Sequence, residues 1–373
     1  MKRKVCFIIG TRPEAIKIAP VSKLFMDDGT FDVINISTGQ HKEMLYQVLN
    51  FFNISVHVEL SVMQPNQTLA LLSSSILEGL SRVLGEQRPD LVVVQGDTTT
   101  AHIGALAAFY LKIPVAHIEA GLRSFNLYSP FPEEANRKLI SQLSSVHFCP
   151  TQNAVENLKA EGITANTHHV GNTVVDALLQ AIELITKSTN TSAVEIKHKE
   201  LLEKKFLLVT GHRRESFGEG FLNICRALRR VAEKFPDVNI LYPVHLNPSV
   251  QEPVYALLSG LGNIHLSPPV DYVEMVWLLN RCHLVLTDSG GIQEEAPSLG
   301  KPILVMRDVT ERMEGIDTGN AVLVGTEEDS IVNWTTTLLT DTARYHSMSI
   351  AGNPYGDGKS SERILHILKK FVG

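Results

Sequence analysis

The stretch TDSGGIQEEAPSLGKPILV, residues 287–305, carries the residue types of an anion site. The apolar run HLVLT before it reads as a buried strand, Ser289, Gly290 and Gly291 as a tight turn, and residues 292–299 as a short helix that Gly300 ends. A strand end that meets a helix N-terminus offers unpaired N–H groups and the positive end of the helix dipole, which suits phosphate. Glycine lets the backbone come close to the anion. Glu294 and Glu295 follow, either as carboxylates that hold sugar hydroxyls or as a solvated helix face. VTGHRRESFGEG bunches His212, Arg213 and Arg214 where a strand gives way to a Gly-rich loop. Beside an anion cradle, His212 becomes a candidate partner for a phosphate or leaving group. His245 in YPVHLNP and Arg312 in MRDVTERMEGIDTGN also follow strands.

The first half of the chain supplies carboxylates. Asp97 follows LVVVQG and precedes three threonines that open a helix. It is either an N-cap or a general base or hydroxyl ligand. Glu119, in HIEAGLRS, ends a strand expected to neighbour that of Asp97. Close like charges raise one of the two pKa values, which gives a site both an acid and a base near neutral pH. In SPFPEEANR, Pro130 and Pro132 stiffen a loop that delivers Glu133 and Glu134 at a helix start, where acids also favour the dipole. GTRPEAIKIAP puts Arg12 at a helix mouth and Lys17 a turn further on. Both are candidates for a diphosphate, Arg12 in fork geometry, with plain surface charge as the alternative.

Elements that could position these residues run from end to end. KVCFIIG, FDVINIST, LVVVQGD, PVAHIEAG and SVHFCPT read as strands in the first half, and FLLVTGH, NILYPVH, NIHLSP, HLVLTDS and KPILVMR in the second. Helical patterns lie between most of them, an order that predicts parallel sheets with helices on both faces. The runs are apolar throughout rather than alternating, as parallel strands require. Residues 186–205 are polar, lack a strand signal and are expected on the surface near a domain junction. SSERILHILKKF reads as a last amphipathic helix. Two doubly wound domains place ligand sites at the C-terminal ends of their strands, with a cleft where the two sets face each other.

Bulk properties narrow the function. A chain of 373 residues suits two domains. With 44% hydrophobic and 20% charged residues it has the composition of a globular enzyme. A net charge of -6 argues against a nucleic-acid surface. The four scattered cysteines read as reduced thiols of a cytosolic protein. The basic and apolar start is interrupted at Gly10, too early for a secretory signal, and no run is long enough for a membrane span. The 14 histidines form no zinc-spaced pair, and His168 and His169, adjacent on a strand, point apart. No GxGxxG follows the first strand and no G-x-S-x-G elbow is present.

Taken in order, GTRPEAIKIAP, TGQHKEML, QGDTTT, HIEAGLRS, YSPFPEEANR, GHRRESFG, YPVHLNP and TDSGGIQEEAPSLGKP resemble the bacterial non-hydrolysing UDP-N-acetylglucosamine 2-epimerases over nearly the whole chain. The resemblance implies a GT-B fold: two Rossmann-like, doubly wound parallel-sheet domains with the substrate in a cleft. The expected domains are 1–170, joined by a C-terminal helix at 357–373, and 171–356. It implies cytoplasmic homodimers that need no cofactor or metal and interconvert UDP-GlcNAc and UDP-ManNAc, the latter for surface polysaccharide. UDP leaves to give 2-acetamidoglucal and is then re-added.

By the same resemblance, Asp97, Glu119 and Glu133 are the acid–base residues, with His212 also catalytic. Arg12, His212, Ser289, Gly290 and Gly291 would hold the phosphates and Glu295 the ribose, and Lys17 and Arg312 would complete the UDP site. Gln40, His41, Gln67, Arg213 and His245 correspond to a region where some members bind a second UDP-GlcNAc as activator. The chain departs from the pattern at residues 311–320, where Gly315 should loosen a loop, and at Val270 and Met275 near the expected uracil pocket. A hydrolysing epimerase that releases free ManNAc, a GT-B glycosyltransferase and an inactive UDP-sugar sensor are the competing readings.

Overall fold

The continuous apolar runs become strands buried on both faces. The computed structural model describes residues 2–40, 42–64, 67–187 and 191–372. The chain divides into two compact units, Met1–Leu179 with Tyr355–Gly373, and Gln180–Pro354. The first unit holds β1 (Arg3–Ile9), β2 (Phe31–Ser37), β3 (Val58–Glu59), β4 (Leu91–Gln95), β5 (Val115–Ile118), β6 (Val146–Cys149) and β7 (Thr167–His169). They form one parallel sheet in the order β3-β2-β1-β4-β5-β6-β7. Val5, Cys6, Phe7, Ile8 and Ile9 in its middle have no exposed surface. Fully burying such a side chain contributes about 1.5–3 kcal/mol.

The second unit repeats the winding. Its strands are β8 (Lys205–Thr210), β9 (Val238–Pro243), β10 (Ile264–Ser267), β11 (Leu284–Thr287), β12 (Ile303–Val305) and β13 (Ala321–Leu323), in the order β10-β9-β8-β11-β12-β13. Both units are therefore doubly wound α/β sheets of the expected Rossmann-like kind. In each, strand order reverses beside the first strand, between β1 and β4 and between β8 and β11. Such a switch point splays the loops on either side and is where open α/β sheets bind ligands. Close approach at the first of these points requires glycine. A Cβ on Gly10 would lie 2.2 Å from Thr100 Oγ1 and 2.9 Å from Thr38 Oγ1.

The described part of residues 186–205 is mostly exposed, as expected, with two exceptions. The segment contains the helices Thr191–Lys197 and Lys199–Leu202 and reaches β8 at Lys205. His198 and Leu201 are buried, and His198 Nε2 meets Glu274 Oε1 at 2.7 Å. The amphipathic helix Ser360–Phe371 packs in the first unit against the helix Arg12–Asp28. Asp176 accepts hydrogen bonds from Ser360 N at 3.2 Å and Ser361 N at 2.7 Å, and Lys369 reaches Asp28 at 2.6 Å. Among the described residues, no helix is long and apolar enough to cross a membrane.

Candidate active site

In the first unit the candidate residues gather where β1, β4 and β5 end. β4 and β5 are neighbours, with Gln95 opposite Ile118, so Asp97 and Glu119 leave adjacent strand ends as expected. Glu119 has φ +67°, a left-handed conformation that costs a non-glycine residue about 1–3 kcal/mol and recurs at functional sites. Its Oε2 accepts from Lys17 Nζ at 2.5 Å and from Gln95 Nε2 at 2.6 Å. Lys17, a candidate for the diphosphate, thus lies on a carboxylate in the first unit. Asp97 is not the N-cap of the helix Thr99–Tyr110; Thr98 is, its Oγ1 accepting from Ala101 N at 3.0 Å. That leaves the Asp97 carboxylate to Arg137, whose nitrogens lie 2.8 and 2.7 Å from Oδ2. The two carboxylates thus do not meet as bare like charges; each has its own cation.

Glu133 and Glu134 open the helix Glu133–Leu143 but do different things. Glu134 is fully buried and accepts from Ser124 N at 2.9 Å, Phe125 N at 3.2 Å and Arg137 at 3.2 Å. It holds the preceding loop. Glu133 Oε2 is shielded from solvent and has no hydrogen-bond partner, the state of an oxygen kept for something else. The Arg12 guanidinium makes no ion pair or hydrogen bond with a described residue and sits half-buried at the helix mouth.

Several residues here were not singled out from sequence. Glu14 is 1% exposed and takes hydrogen bonds from Gly10 N (3.2 Å), Thr11 N (2.7 Å), Thr11 Oγ1 (2.8 Å) and Thr98 Oγ1 (2.8 Å). It joins the loop of Arg12 to the loop of Asp97, and burial pushes its pKa up to about 7 against those donors. His117 Nε2 meets Gly96 O at 2.7 Å, beside Asp97. Burial pushes this ring down to about 3, so it is neutral at any physiological pH. The capping-box spacing Thr11–Glu14 was a readable signal; the links to Thr98 and Gly96 were not.

In the second unit, the loops after β8 and β11 are tied together by Asp288, also missed. This residue is 1% exposed, and its Oδ2 accepts from His212 N at 2.6 Å and Arg213 N at 2.7 Å. His212 stacks on His245 with ring centroids 4.9 Å apart and planes 8° apart. Burial, His245 and Arg213 lower the His212 pKa, and Asp288 opposes them. Ser289 caps the helix Gly290–Glu295, so Gly290 and Gly291 are its first residues rather than a separate turn, and the second half of the expected helix is a 3-10 turn, Ala296–Leu299.

Gly290 is needed for contact. A Cβ there would lie 2.9 Å from the Arg312 guanidinium carbon. Arg312 is held there by Glu294 Oε1 at 3.0–3.1 Å. Glu294 and Glu295 are both buried, which overturns a solvated helix face. The loop expected to loosen at Gly315 forms the short helix Met313–Asp317, with Gly315 buried.

The residues matched to a second substrate molecule come from both units. Arg213 and His245 flank His212 in the second unit. In the first, Gln40 accepts from Thr100 Oγ1 at 3.2 Å, while Gln67 braces its own loop through Val62 O at 3.1 Å. His41 lies outside the described residues.

The chain is similar to known proteins along its whole length. It is 52% identical to the UDP-N-acetylglucosamine 2-epimerase of Yersinia pestis over 369 residues, 98% of each chain. The crystal structure of UDP-GlcNAc 2-epimerase from Neisseria meningitidis bound to UDP-GlcNAc matches with a TM-score of 0.92 and 46% identity, covering 98% of this chain and 100% of that one. The Methanocaldococcus jannaschii enzyme in complex with UDP-GlcNAc and UDP matches with a TM-score of 0.82 and 35% identity, over 98% and 99%. A family model, UDP-N-acetylglucosamine 2-epimerase, spans residues 24–369. With the family model and relatives near half identity spanning almost all of it, the chain belongs to the UDP-N-acetylglucosamine 2-epimerase family.

Proposed function

We propose that this enzyme interconverts UDP-N-acetylglucosamine and UDP-N-acetylmannosamine by elimination and re-addition of UDP. A carboxylate takes the C2 proton, the C2–H electron pair becomes the C1–C2 double bond, and the C1–O pair leaves with UDP. The product of this step is 2-acetamidoglucal. Returning UDP to C1 while a proton is delivered to the opposite face of C2 gives the epimer. The observation that carries this reading is the carboxylate set. Asp97 and Glu119 stand on adjacent strand ends, each with a cation, and Glu133 keeps one shielded oxygen unpartnered. Positioned acid–base groups contribute roughly 10²–10⁴-fold in rate, and stabilisation of the leaving diphosphate adds a comparable or larger factor.

In this reading Arg12, His212, Ser289, Gly290 and Gly291 bind the diphosphate and Glu295 the ribose. Arg312, lodged between Glu294 and Gly290, completes the UDP site. Lys17, which orients Glu119, also completes the UDP site. Gln40, His41, Gln67, Arg213 and His245 are the residues for an activating second UDP-GlcNAc. The product would feed surface polysaccharide from the cytoplasm, a setting that suits four buried free thiols. A homodimer is supported by the exposed Phe109, Tyr110 and Leu111 around a depression lined by Ile113, Pro114 and Leu143.

Proton NMR of UDP-GlcNAc with the enzyme in D₂O, with no cofactor added, tests the reaction. Deuterium at C2 together with a UDP-ManNAc signal is expected. Accumulation of free ManNAc and UDP would replace this reading with a hydrolysing epimerase.

A further inference from the structure

We propose that Asp288 is the positioning residue of His212. Through Oδ2 it fixes the His212 backbone, and through Oδ1 it takes the Nδ1–H of an imidazolium whose Nε2–H donates to an oxygen of the departing diphosphate. The inference rests on the reading of His212 as a diphosphate partner.

The two carboxylate oxygens of Asp288 are used differently. Oδ2 pins the loop by accepting from two consecutive backbone N–H groups. Oδ1 is buried and accepts no hydrogen bond, and it lies 3.8 Å from His212 Nδ1. Among the described residues, His212 is the one ion-pair partner of Asp288. A buried carboxylate oxygen without a donor carries its full desolvation cost. Catalytic hydrogen bonds are often long before substrate binds, and shortening this gap by about 1 Å would make a charge-assisted bond.

The surroundings hold both partners in place. Asp288 N donates to Thr210 O at 3.1 Å, and Tyr242 OH donates to Gly211 O at 2.7 Å. The His245 ring, stacked on His212, restricts its plane. Of the influences on His212, burial, His245 and Arg213 disfavour the imidazolium, and Asp288 alone favours it. Only the imidazolium donates from both nitrogens. Asp288 thereby opposes, without reversing, the loss of the form that donates from both nitrogens.

Asp288→Asn separates this role from loop bracing. The side-chain carbonyl can still accept both backbone hydrogen bonds, whereas the amide offers Nδ1 a donor and no charge. The test begins with His212→Asn. If kcat and KM for UDP-GlcNAc are unchanged, the reading of His212 fails, and this proposal with it. If His212→Asn is impaired, Asp288→Asn is expected to lower kcat roughly 10–100-fold with KM within about twofold. The alkaline fall in kcat should move to lower pH, because the one group favouring the imidazolium has gone. The double variant should be no worse than His212→Asn alone. Losses that multiply in the double variant, or an unshifted pH profile, would overturn Asp288 alone. If Asp288→Asn does not fold, the imidazole ¹⁵N shifts of the wild-type enzyme, assigned against His212→Asn, decide. In the presence of UDP, protons on both ring nitrogens support the proposal, and a bare nitrogen at either position overturns it.

Discussion

Lys17 Nζ and Glu119 Oε2 lie 2.5 Å apart and join the first helix of the chain to the end of β5 across 102 positions of sequence. Their side chains are 12% and 9% exposed. Removing one partner of such a pair leaves the other charge buried without its counterion. Lys17→Met should cost about 3 kcal/mol in urea denaturation at pH 7 and lower kcat, because Glu119 loses both its counterion and its orientation. A variant as stable and active as the wild type would remove the pair from the account.

Glu14 should make stability depend on pH in an unusual direction for a carboxylate. Its folded pKa of about 7 lies above the ordinary 4.5. The folded state therefore holds a proton that the unfolded state releases between those values. Stability from this group is full below pH 4.5 and is lost as pH rises to about 7, a swing of about 3 kcal/mol. Glu14→Gln removes the titration, so its stability relative to wild type should rise from pH 4.5 to 7 and then level off. Paired urea titrations at pH 5 and pH 8 check the sign.

The two adjacent glutamates should separate cleanly. Glu133→Gln is expected to reduce kcat at least 10²-fold while stability stays within about 0.5 kcal/mol, since Glu133 Oε2 braces nothing. Glu134→Ala strips acceptors from Ser124 N and Phe125 N and should destabilise by about 1–3 kcal/mol. Thermal melts and initial rates of both variants, measured side by side, distinguish the roles. Equal losses of activity at equal stability would contradict them.

Asp176→Ala should loosen the helix Ser360–Phe371. It removes the acceptor of Ser360 N and Ser361 N, a capping-type loss of about 0.5–2 kcal/mol. Hydrogen exchange should speed up in residues 360–371 and leave β8 to β13 unchanged. Uniform acceleration over the whole chain would argue against a local role.

The sequence revealed the fold best where strands are central. Val5–Ile9 and Leu91–Val94 are buried on both faces, so their apolar runs have one reading. β3 and β13 escaped notice because they are sheet edges of two and three residues, with half-buried positions. Site residues were legible as types at strand ends, but their partners were not. Asp288 works on backbone groups 75 and 76 positions away. Gln95 reads as part of a strand until its amide is found on Glu119, 24 positions on. Asp97 looked like a cap because it stands beside Thr98, which takes that role. The burial of Glu294 depends on Arg312, 18 positions later, and no helical periodicity could announce it.

The segment Tyr355–Gly373 belongs to the unit that begins the chain, which bears on how the protein is made. During synthesis, residues 180–354 leave the ribosome as a complete set and can fold at once. The older unit, already outside, waits for the helix Ser360–Phe371 that packs on the helix Arg12–Asp28. The part translated first is therefore the part finished last, and a message broken shortly before codon 355 would yield a complete second unit attached to an unfinished first one.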